Sequence, residues 1–132
     1  MRILLVEDEA MTVMLMKLLL RKLNHEDVQA VASGEKALAL IDQWPPELVL
    51  MDILLAGKLD GIDTTIELRK RLDVPVVYTT GYDSGEVRQR AEASGAAAYL
   101  LKPVSKDDLA RMISQLFPSS VEPPRLARPL LG

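Results

Sequence analysis

The chain has 132 residues, no cysteine, a formal net charge of −3, and 48% hydrophobic and 27% charged residues. This length predicts one domain with its own core, and the negative charge argues against a nucleic-acid surface, which is normally basic. The missing cysteines exclude disulfides and thiolate metal sites, and no apolar run is long enough to span a bilayer. Because Met1 leads directly into the strand-like RILLV, we expect no secretory leader. We therefore expect a cytoplasmic protein without direct nucleic-acid binding or membrane insertion.

Short apolar runs alternate five times with helix-patterned segments. The predicted strands are Ile3–Val6, Val28–Val31, Leu48–Met51, Val74–Thr79 and Ala97–Leu101, and the predicted helices are residues 9–23, 34–44, 62–72, 84–94 and 106–117. This alternation predicts βαβ units, with a parallel sheet covered on both faces. Right-handed crossovers then favour a doubly wound α/β fold.

Several helix ends carry capping residues. Asn24 can adopt the left-handed conformation that ends the first helix. Ser33 can cap the second helix, and Ser105 with Asp108 forms a capping box for the fifth. These signals support the predicted element boundaries.

The pattern of strands and helices stops at Phe117. Residues 118–132 hold four of the eight prolines and no periodicity, which indicates a tail and not a second domain. We therefore predict one domain over residues 1–117, a proline-rich C-terminal tail over residues 118–132, and no output domain in this chain.

Polar side chains that can carry chemistry follow four of the five predicted strands: Glu7, Asp8, Asp52, Thr80 and Lys102. Ligands of open α/β sheets bind beyond the carboxyl ends of the strands, so these side chains should meet. Each has an ordinary explanation when taken alone, as a strand end, turn or cap, but their joint placement indicates a site. Three neighbouring carboxylates require a cation, and oxygen ligands suit Mg²⁺ or Mn²⁺. The Lys102 ammonium suits a phosphoryl oxygen.

Five segments together resemble one protein family: LLVEDE, LVLMD, DGI, PVVYTTGY and GAAAYLLKP. At these spacings, residues 1 to about 117 resemble a bacterial two-component response-regulator receiver domain of the CheY-like type. The resemblance implies a flavodoxin-like, five-stranded parallel sheet of order 2-1-3-4-5 with five helices. It also implies that a phosphohistidine on a histidine kinase or histidine phosphotransfer protein donates a phosphoryl group to this chain, with Mg²⁺, and so switches a surface for partner binding.

The resemblance assigns a role to each candidate residue. Asp52 resembles the phospho-acceptor, with Glu7 and Asp8 as the acidic pair that holds Mg²⁺ together with it. The remaining assignments are the Leu54 backbone carbonyl as a further metal ligand, Thr80 and Tyr99 as the switch pair, Lys102 as the phosphoryl contact, and Pro103 as a cis-proline. On this basis we expect a phospho-acceptor that phosphorylates itself with Mg²⁺, and not an enzyme with turnover.

The loop after Asp52 departs from the family pattern. Its LLAGKLDG stretch is one residue longer than usual and has Ala56 where a proline is common. Gly57 is expected to absorb the extra residue because glycine tolerates positive φ. Leu54 and Tyr82 stand at the positions that flank the attacking water in the family, and neither side chain suits that task. We therefore expect slow self-dephosphorylation.

Two helices have unusual patterns. In the first helix, the side chains expected to pack on the sheet are Leu15, Leu19 and Leu23, with Met16 and Leu20 beside them. Met11, Met14 and Leu18 are then left over, either covered by the fifth helix or the tail, or forming a docking face for kinase helices or a homodimer partner. The fourth helix, EVRQRAEAS, offers little apolar surface, which predicts low local stability.

Two other functions remain open from the sequence. One is a receiver-like interaction module that takes no phosphate, although the complete set of acids, Thr80 and Lys102 argues against it. The other is a metal-dependent phosphohydrolase, which would need a second acid where Leu54 stands.

Overall fold

The computed structural model describes residues 1–118, which form five strands and five helices in strict alternation. The strands are β1 (Ile3–Val6), β2 (Val28–Val31), β3 (Leu48–Asp52), β4 (Val76–Thr80) and β5 (Ala98–Leu101). The helices are α1 (Ala10–Lys22), α2 (Gly34–Leu40), α3 (Gly61–Arg69), α4 (Gly85–Ala93) and α5 (Lys106–Leu116). All ten predicted elements are confirmed. The predicted tail falls almost wholly on residues 119–132, which lie outside the described residues.

Some differences from the predicted boundaries have a local cause. Strand β4 begins at Val76 and not at Val74, since Pro75 has no N–H to donate to the strand ladder. Helix α2 ends at Leu40, four residues early, and is followed by a turn in which the Trp44 N–H still donates to the Leu40 carbonyl. Strand β4 also runs through Thr80, because Thr80 pairs with Leu101 of β5.

All strand pairs are parallel, and the strand order is β2-β1-β3-β4-β5. This confirms the doubly wound α/β fold and the predicted order. Because the strands are parallel, their carboxyl ends share one edge of the sheet, and the central strands β1 and β3 end side by side there.

The core has two halves, one on each face of the sheet. Successive strand residues point to opposite faces, so Leu4 and Val6 join the core half under α2, α3 and α4, whereas Ile3 and Leu5 join the half under α1 and α5. Strands β1, β3 and β4 are buried along their whole length. The end of β3 is therefore inside the protein, and any charge on Asp52 must be compensated there.

Helix α1 packs on the sheet through a different stripe from the predicted one. Its buried residues are Met16 and Leu20, while Leu15 is 45% exposed. The prediction that Leu15 faces the sheet is wrong, because at about 100° per residue it lies about 140° around the helix from Leu20. Met11 and Met14 are 77% and 69% exposed. Helix α5 does not cover these residues, and within residues 1–118 the four side chains Met11, Met14, Leu15 and Leu18 form an uncovered apolar surface, the exposed α1 face.

The predicted caps are confirmed. Asn24 has a φ of 69°, and Ser33 Oγ accepts a hydrogen bond from the Lys36 N–H at 3.2 Å. Ser105 and Asp108 form the predicted capping box. A second capping box, Asp60 with Asp63, starts α3. Within the described part of the chain, none of the helices has the length and apolarity that a membrane span requires.

Candidate functional site

The acids that follow β1 and β3 converge at the carboxyl edge of the sheet. Glu7, Asp8 and Asp52 each place a carboxylate oxygen within 4.8 Å of the other two. The backbone of Glu7 continues the line of β1, since its N–H donates to the Val31 carbonyl at 3.0 Å. The parallel register therefore turns three acids that are distant in sequence into one cluster, as predicted.

Lys102 compensates the two buried acids. Its Nζ lies 2.7 Å from Glu7 Oε1 and 3.4 Å from Asp52 Oδ2. Glu7 and Asp52 are only 2% and 5% exposed, so neither charge is well solvated and an opposite charge is needed beside them. The backbone N–H of Lys102 donates to the backbone carbonyl of Thr80 at 2.8 Å, and this bond holds the end of β5 against β4. The Lys102–Pro103 peptide bond is cis, as the family resemblance implies.

Two groups at the site, Asp52 and Lys102, have shifted pKa values. Burial, reinforced by the negative charge of Glu7, raises the pKa of Asp52 from 3.8 to about 6, although Lys102 opposes the rise. Burial alone would lower the pKa of Lys102, but the hydrogen bond to Glu7 and the charges of Asp52 and Glu7 outweigh it and raise that pKa. Lys102 therefore stays protonated at neutral pH, and added positive charge beside Asp52 favours its anionic form.

Backbone N–H groups of the loop after β3 hold two of the acids. The Leu54 N–H donates to Asp52 Oδ1 and the Ala56 N–H donates to Asp8 Oδ2, both at 3.2 Å. The Leu54 side chain is exposed. Leu54 thus reaches the site through its N–H, while a role for its carbonyl as a metal ligand stays a prediction.

Within residues 1–118, Thr80 and Tyr99 make no hydrogen bond to the acid cluster. Thr80 is buried, and its hydroxyl accepts from the Tyr82 N–H at 3.1 Å and donates to the Tyr82 carbonyl at 3.2 Å. The Tyr99 hydroxyl is buried without a hydrogen-bond partner in residues 1–118. The Arg88 guanidinium stacks over the Tyr99 ring, 4.5 Å from its centroid. The Thr80 hydroxyl is therefore bonded only to the neighbouring Tyr82 backbone, and the Tyr99 hydroxyl is available for a new hydrogen bond within the described part of the chain.

Gly61 is a site residue whose role the sequence reasoning missed. A Cβ at this position would overlap the Asp52 carbonyl oxygen and lie 2.8 Å from the Ile53 Cα. The Gly61 N–H donates to the Ile53 carbonyl at 2.8 Å. The first turn of α3 therefore packs directly behind the backbone of Asp52. The sequence carries no specific signal for this close approach, since Gly34, Gly61 and Gly85 all begin helices and a Cβ at Gly85 would meet nothing within 4 Å.

The cluster fits a divalent cation. Its donors are carboxylate oxygens from three residues, two of them buried, and Mg²⁺ and Mn²⁺ both prefer oxygen ligands. The single nearby ammonium leaves the three carboxylates with an excess of negative charge. Glu7, Asp8 and Asp52 are the residues that would hold the ion.

Comparison with known proteins agrees with the fold. The family model described as the response regulator receiver domain matches residues 3–114. The transcriptional regulatory protein PdtaR of Mycobacterium tuberculosis is 36% identical over 108 residues, covering 82% of this chain and 52% of the relative. The positive alginate biosynthesis regulatory protein of Pseudomonas aeruginosa is 34% identical over 133 aligned positions, covering 98% of this chain and 52% of the relative. The chain thus spans about half the length of these curated relatives.

Solved receiver structures superpose well on this fold. The BeF3-activated N-terminal receiver domain of Klebsiella pneumoniae RstA has a TM-score of 0.80 at 31% identity, covering 87% of this chain and 97% of the other. The receiver domain of the Pseudomonas aeruginosa sensor histidine kinase PA1611, with a magnesium ion coordinated in its active site cleft, has a TM-score of 0.78 at 30% identity, covering 86% and 94%. Because the family model matches most of this chain, the chain belongs to the family of response-regulator receiver domains of two-component systems.

Proposed function

We propose that this receiver domain accepts a phosphoryl group on Asp52 from a phosphohistidine of a histidine kinase or histidine phosphotransfer protein. One observation carries the proposal: the Asp52 carboxylate lies at the carboxyl edge of the sheet, 3.4 Å from Lys102 Nζ and within 4.8 Å of the oxygens of Glu7 and Asp8. This combination supplies a nucleophile, a cation for the phosphoryl oxygens and ligands for a metal ion in one cluster.

The transfer exchanges one bond to phosphorus for another. An Asp52 carboxylate oxygen forms the new O–P bond while the P–N bond to the donor imidazole breaks, and the electron pair of that bond remains on the imidazole nitrogen. Lys102 has three N–H donors, and in this structure it faces Glu7 and Asp52. A phosphoryl group on Asp52 provides Lys102 with a new anionic oxygen to bind.

Glu7, Asp8 and Asp52 would hold Mg²⁺, or Mn²⁺ in its place, with the Leu54 carbonyl as a further ligand. When bound, the ion neutralises the negative charge that the phosphoryl group adds to the cluster. The magnesium ion in the active site cleft of the PA1611 receiver domain supports this assignment.

The phosphoryl group then changes the contacts of Thr80 and Tyr99. We expect the Thr80 hydroxyl to leave Tyr82 for a phosphoryl oxygen, because the negatively charged oxygen is the stronger acceptor. This movement opens space for Tyr99 and biases the surface between two states, which downstream partners distinguish.

The exposed α1 face fits the phosphodonor as its occupant. Met14 lines a shallow depression together with Glu7 and Asp8, and Leu15 lines a cavity with Glu7 and Lys102. Any protein that delivers phosphorus to Asp52 must cover the surface beside these residues. We therefore propose that helices of the phosphohistidine protein pack on the exposed α1 face.

Phosphorylation by a small acyl phosphate tests the acceptor. With Mg²⁺, the wild-type protein should gain one acid-stable, base-labile phosphate, and Asp52→Asn should gain none. Asp73→Asn, which removes an exposed acid at the opposite end of the sheet, is the control and should label normally. Absence of label on the wild type would contradict the proposal and favour an unphosphorylated interaction module. Repeated turnover of a phosphate ester would instead indicate a phosphohydrolase.

Met14→Lys tests the docking face. Transfer from the phosphohistidine protein should slow by roughly tenfold, because a charge replaces a central apolar contact, while labelling by the small acyl phosphate stays unchanged. Ile66→Lys, at another exposed apolar position but on α3, is the control. Unchanged transfer by Met14→Lys would contradict the donor as occupant. A wild-type dimer that becomes monomeric in Met14→Lys by sedimentation would identify a second copy as the occupant instead.

A further inference from the structure

The long loop between β3 and α3 is held by carboxylates through three of its backbone N–H groups. The pairs are Leu54 with Asp52 at 3.2 Å, Ala56 with Asp8 at 3.2 Å, and Leu59 with Glu35 Oε1 at 3.1 Å. Asp52 and Asp8 belong to the acid cluster, but Glu35 lies in the first turn of α2. The third contact therefore ties the loop to an element outside the site.

The start of α2 is shaped to receive this loop. Gly57 has a φ of 105°, as predicted, and a Cβ there would lie 3.2 Å from Glu35 Oε2, so the carboxylate packs directly against the Gly57 backbone. A Cβ at Gly34 would lie 3.3 Å from the Leu59 Cβ. The Glu35 carboxylate thus contacts the loop at two points, at the residue that absorbs the extra length and at Leu59.

These contacts constrain Asp8 through the backbone. Leu59 comes three positions after Ala56, a length of chain that spans about 10 Å at most. With Gly57 and Leu59 held by Glu35, the Ala56 N–H has little freedom to move away from the Asp8 carboxylate. A carboxylate that is already oriented loses less freedom when it binds a cation.

We propose that Glu35 is a positioning residue for the metal site: by holding the β3–α3 loop, it keeps the Ala56 N–H on Asp8 and so orients that carboxylate for Mg²⁺. This inference rests on the proposed function. Glu35 is not one of the three clustered carboxylates, so its loss should weaken Mg²⁺ binding without abolishing phosphorylation at saturating Mg²⁺.

A matched pair of glutamates allows a clean test. The sequence Ser-Gly-Glu begins both α2 and α4, and the serine caps the helix in each case. Glu35→Ala and Glu86→Ala therefore remove the same side chain from the same helix position, but only Glu35 accepts a hydrogen bond from the β3–α3 loop. Glu35→Gln is the conservative variant, since its amide oxygen can still accept from Leu59.

The readouts are Mg²⁺ affinity by calorimetric titration and amide hydrogen exchange of the metal-free protein. Glu35→Ala should raise the Kd for Mg²⁺ by about three- to tenfold, below the loss typical of groups that directly hold a metal ligand. It should also speed exchange of the Ala56 and Leu59 amides. Glu86→Ala should change neither, and Glu35→Gln should lie close to the wild type.

Wild-type Mg²⁺ affinity in a folded Glu35→Ala protein would overturn the inference, as would an equal loss in Glu86→Ala. If Glu35→Ala does not fold, Glu35→Gln provides the test. A Glu35→Gln protein that binds Mg²⁺ more weakly while its Ala56 amide exchanges at the wild-type rate would overturn the inference, because the loss would then not come from the loop. A wild-type protein that binds no Mg²⁺ or takes no phosphate would instead contradict the proposed function, so the two failures are distinguishable.

Discussion

Asp52 carries an ionisable carboxyl group at a buried position, where a charge is costly. It ends a fully buried strand beside the buried acid Glu7, and its folded-state pKa is raised to about 6. Ionisation of Asp52 above that pH therefore costs the folded protein free energy that Lys102 only partly offsets. The same excess of negative charge makes the cluster a good cation site.

Asp52→Asn should stabilise the metal-free protein at alkaline pH. Because the folded-state pKa lies above the ordinary 3.8, the folded protein is favoured at low pH, and this advantage is lost as the pH rises through about 6. The neutral amide avoids the loss, so at pH 8 without Mg²⁺ the variant should gain up to about 3 kcal/mol in free energy of unfolding. Urea unfolding at pH 4 and pH 8 measures the difference, which should nearly vanish at pH 4. A variant less stable than the wild type at pH 8 would contradict this account of the cluster.

Gly61→Ala should damage both stability and phosphorylation. The added methyl group meets backbone atoms of Asp52 and Ile53, which cannot move aside without shifting β3. We expect a loss of about 1–3 kcal/mol in free energy of unfolding and slower labelling by an acyl phosphate. Gly85→Ala is the control, since Gly85 also begins a helix and a Cβ there meets nothing within 4 Å. Equal behaviour of the two variants would show that helix propensity, and not the contact with Asp52, decides the effect.

At the scale of elements, α1 and α4 differ in how they are held. Helix α1 buries Met16 and Leu20 against the sheet, whereas α4 buries only Ala91. Few buried apolar contacts permit local opening at low free energy. Helix α4 also carries Arg88, which stacks on Tyr99, so the loosely held helix is the one attached to the proposed switch residue.

Amide hydrogen exchange should therefore distinguish the two helices. In the unphosphorylated protein, the interior amides of α4 should exchange faster than those of α1, because α4 opens locally while α1 opens only with the core. Residue-resolved exchange by NMR measures both helices in one sample. Equal protection of α4 and α1 would refute the low stability predicted for α4.

At the scale of the molecule, the strand order of the sheet brings the three acids of the cluster together. Strands β1 and β3 are neighbours in space but are separated in sequence by α1, β2 and α2, and their ends bring Glu7 and Asp8 to Asp52. The proposed metal site therefore exists only in the folded chain. A cation that binds it should stabilise the whole domain by mass action.

Mg²⁺ should raise the free energy of unfolding at pH 8. At a concentration ten times its Kd, the gain is about 1.4 kcal/mol for a single site. Asp8→Asn should lose most of this gain, since it removes one of the three carboxylates. Chemical unfolding with Mg²⁺ or with chelator measures the gain in each protein. An equal gain in Asp8→Asn would place the ion elsewhere.

The amino-acid sequence by itself determined the alternation of strands and helices, the caps and the residues at the strand ends. These features depend on hydrophobic period and on side chains a few residues apart, as with Ser105 and Asp108. The sequence motifs also indicated the family and the sheet order.

Only the tertiary structure decided which side of α1 is buried, leaving Leu15 exposed, and that Gly61 packs behind Asp52. It also decided that Glu35 holds a loop 24 residues away through Leu59. These features arise from packing between elements, and no local pattern encodes the rotation of a nearly all-apolar helix or a contact between a side chain and a distant backbone N–H.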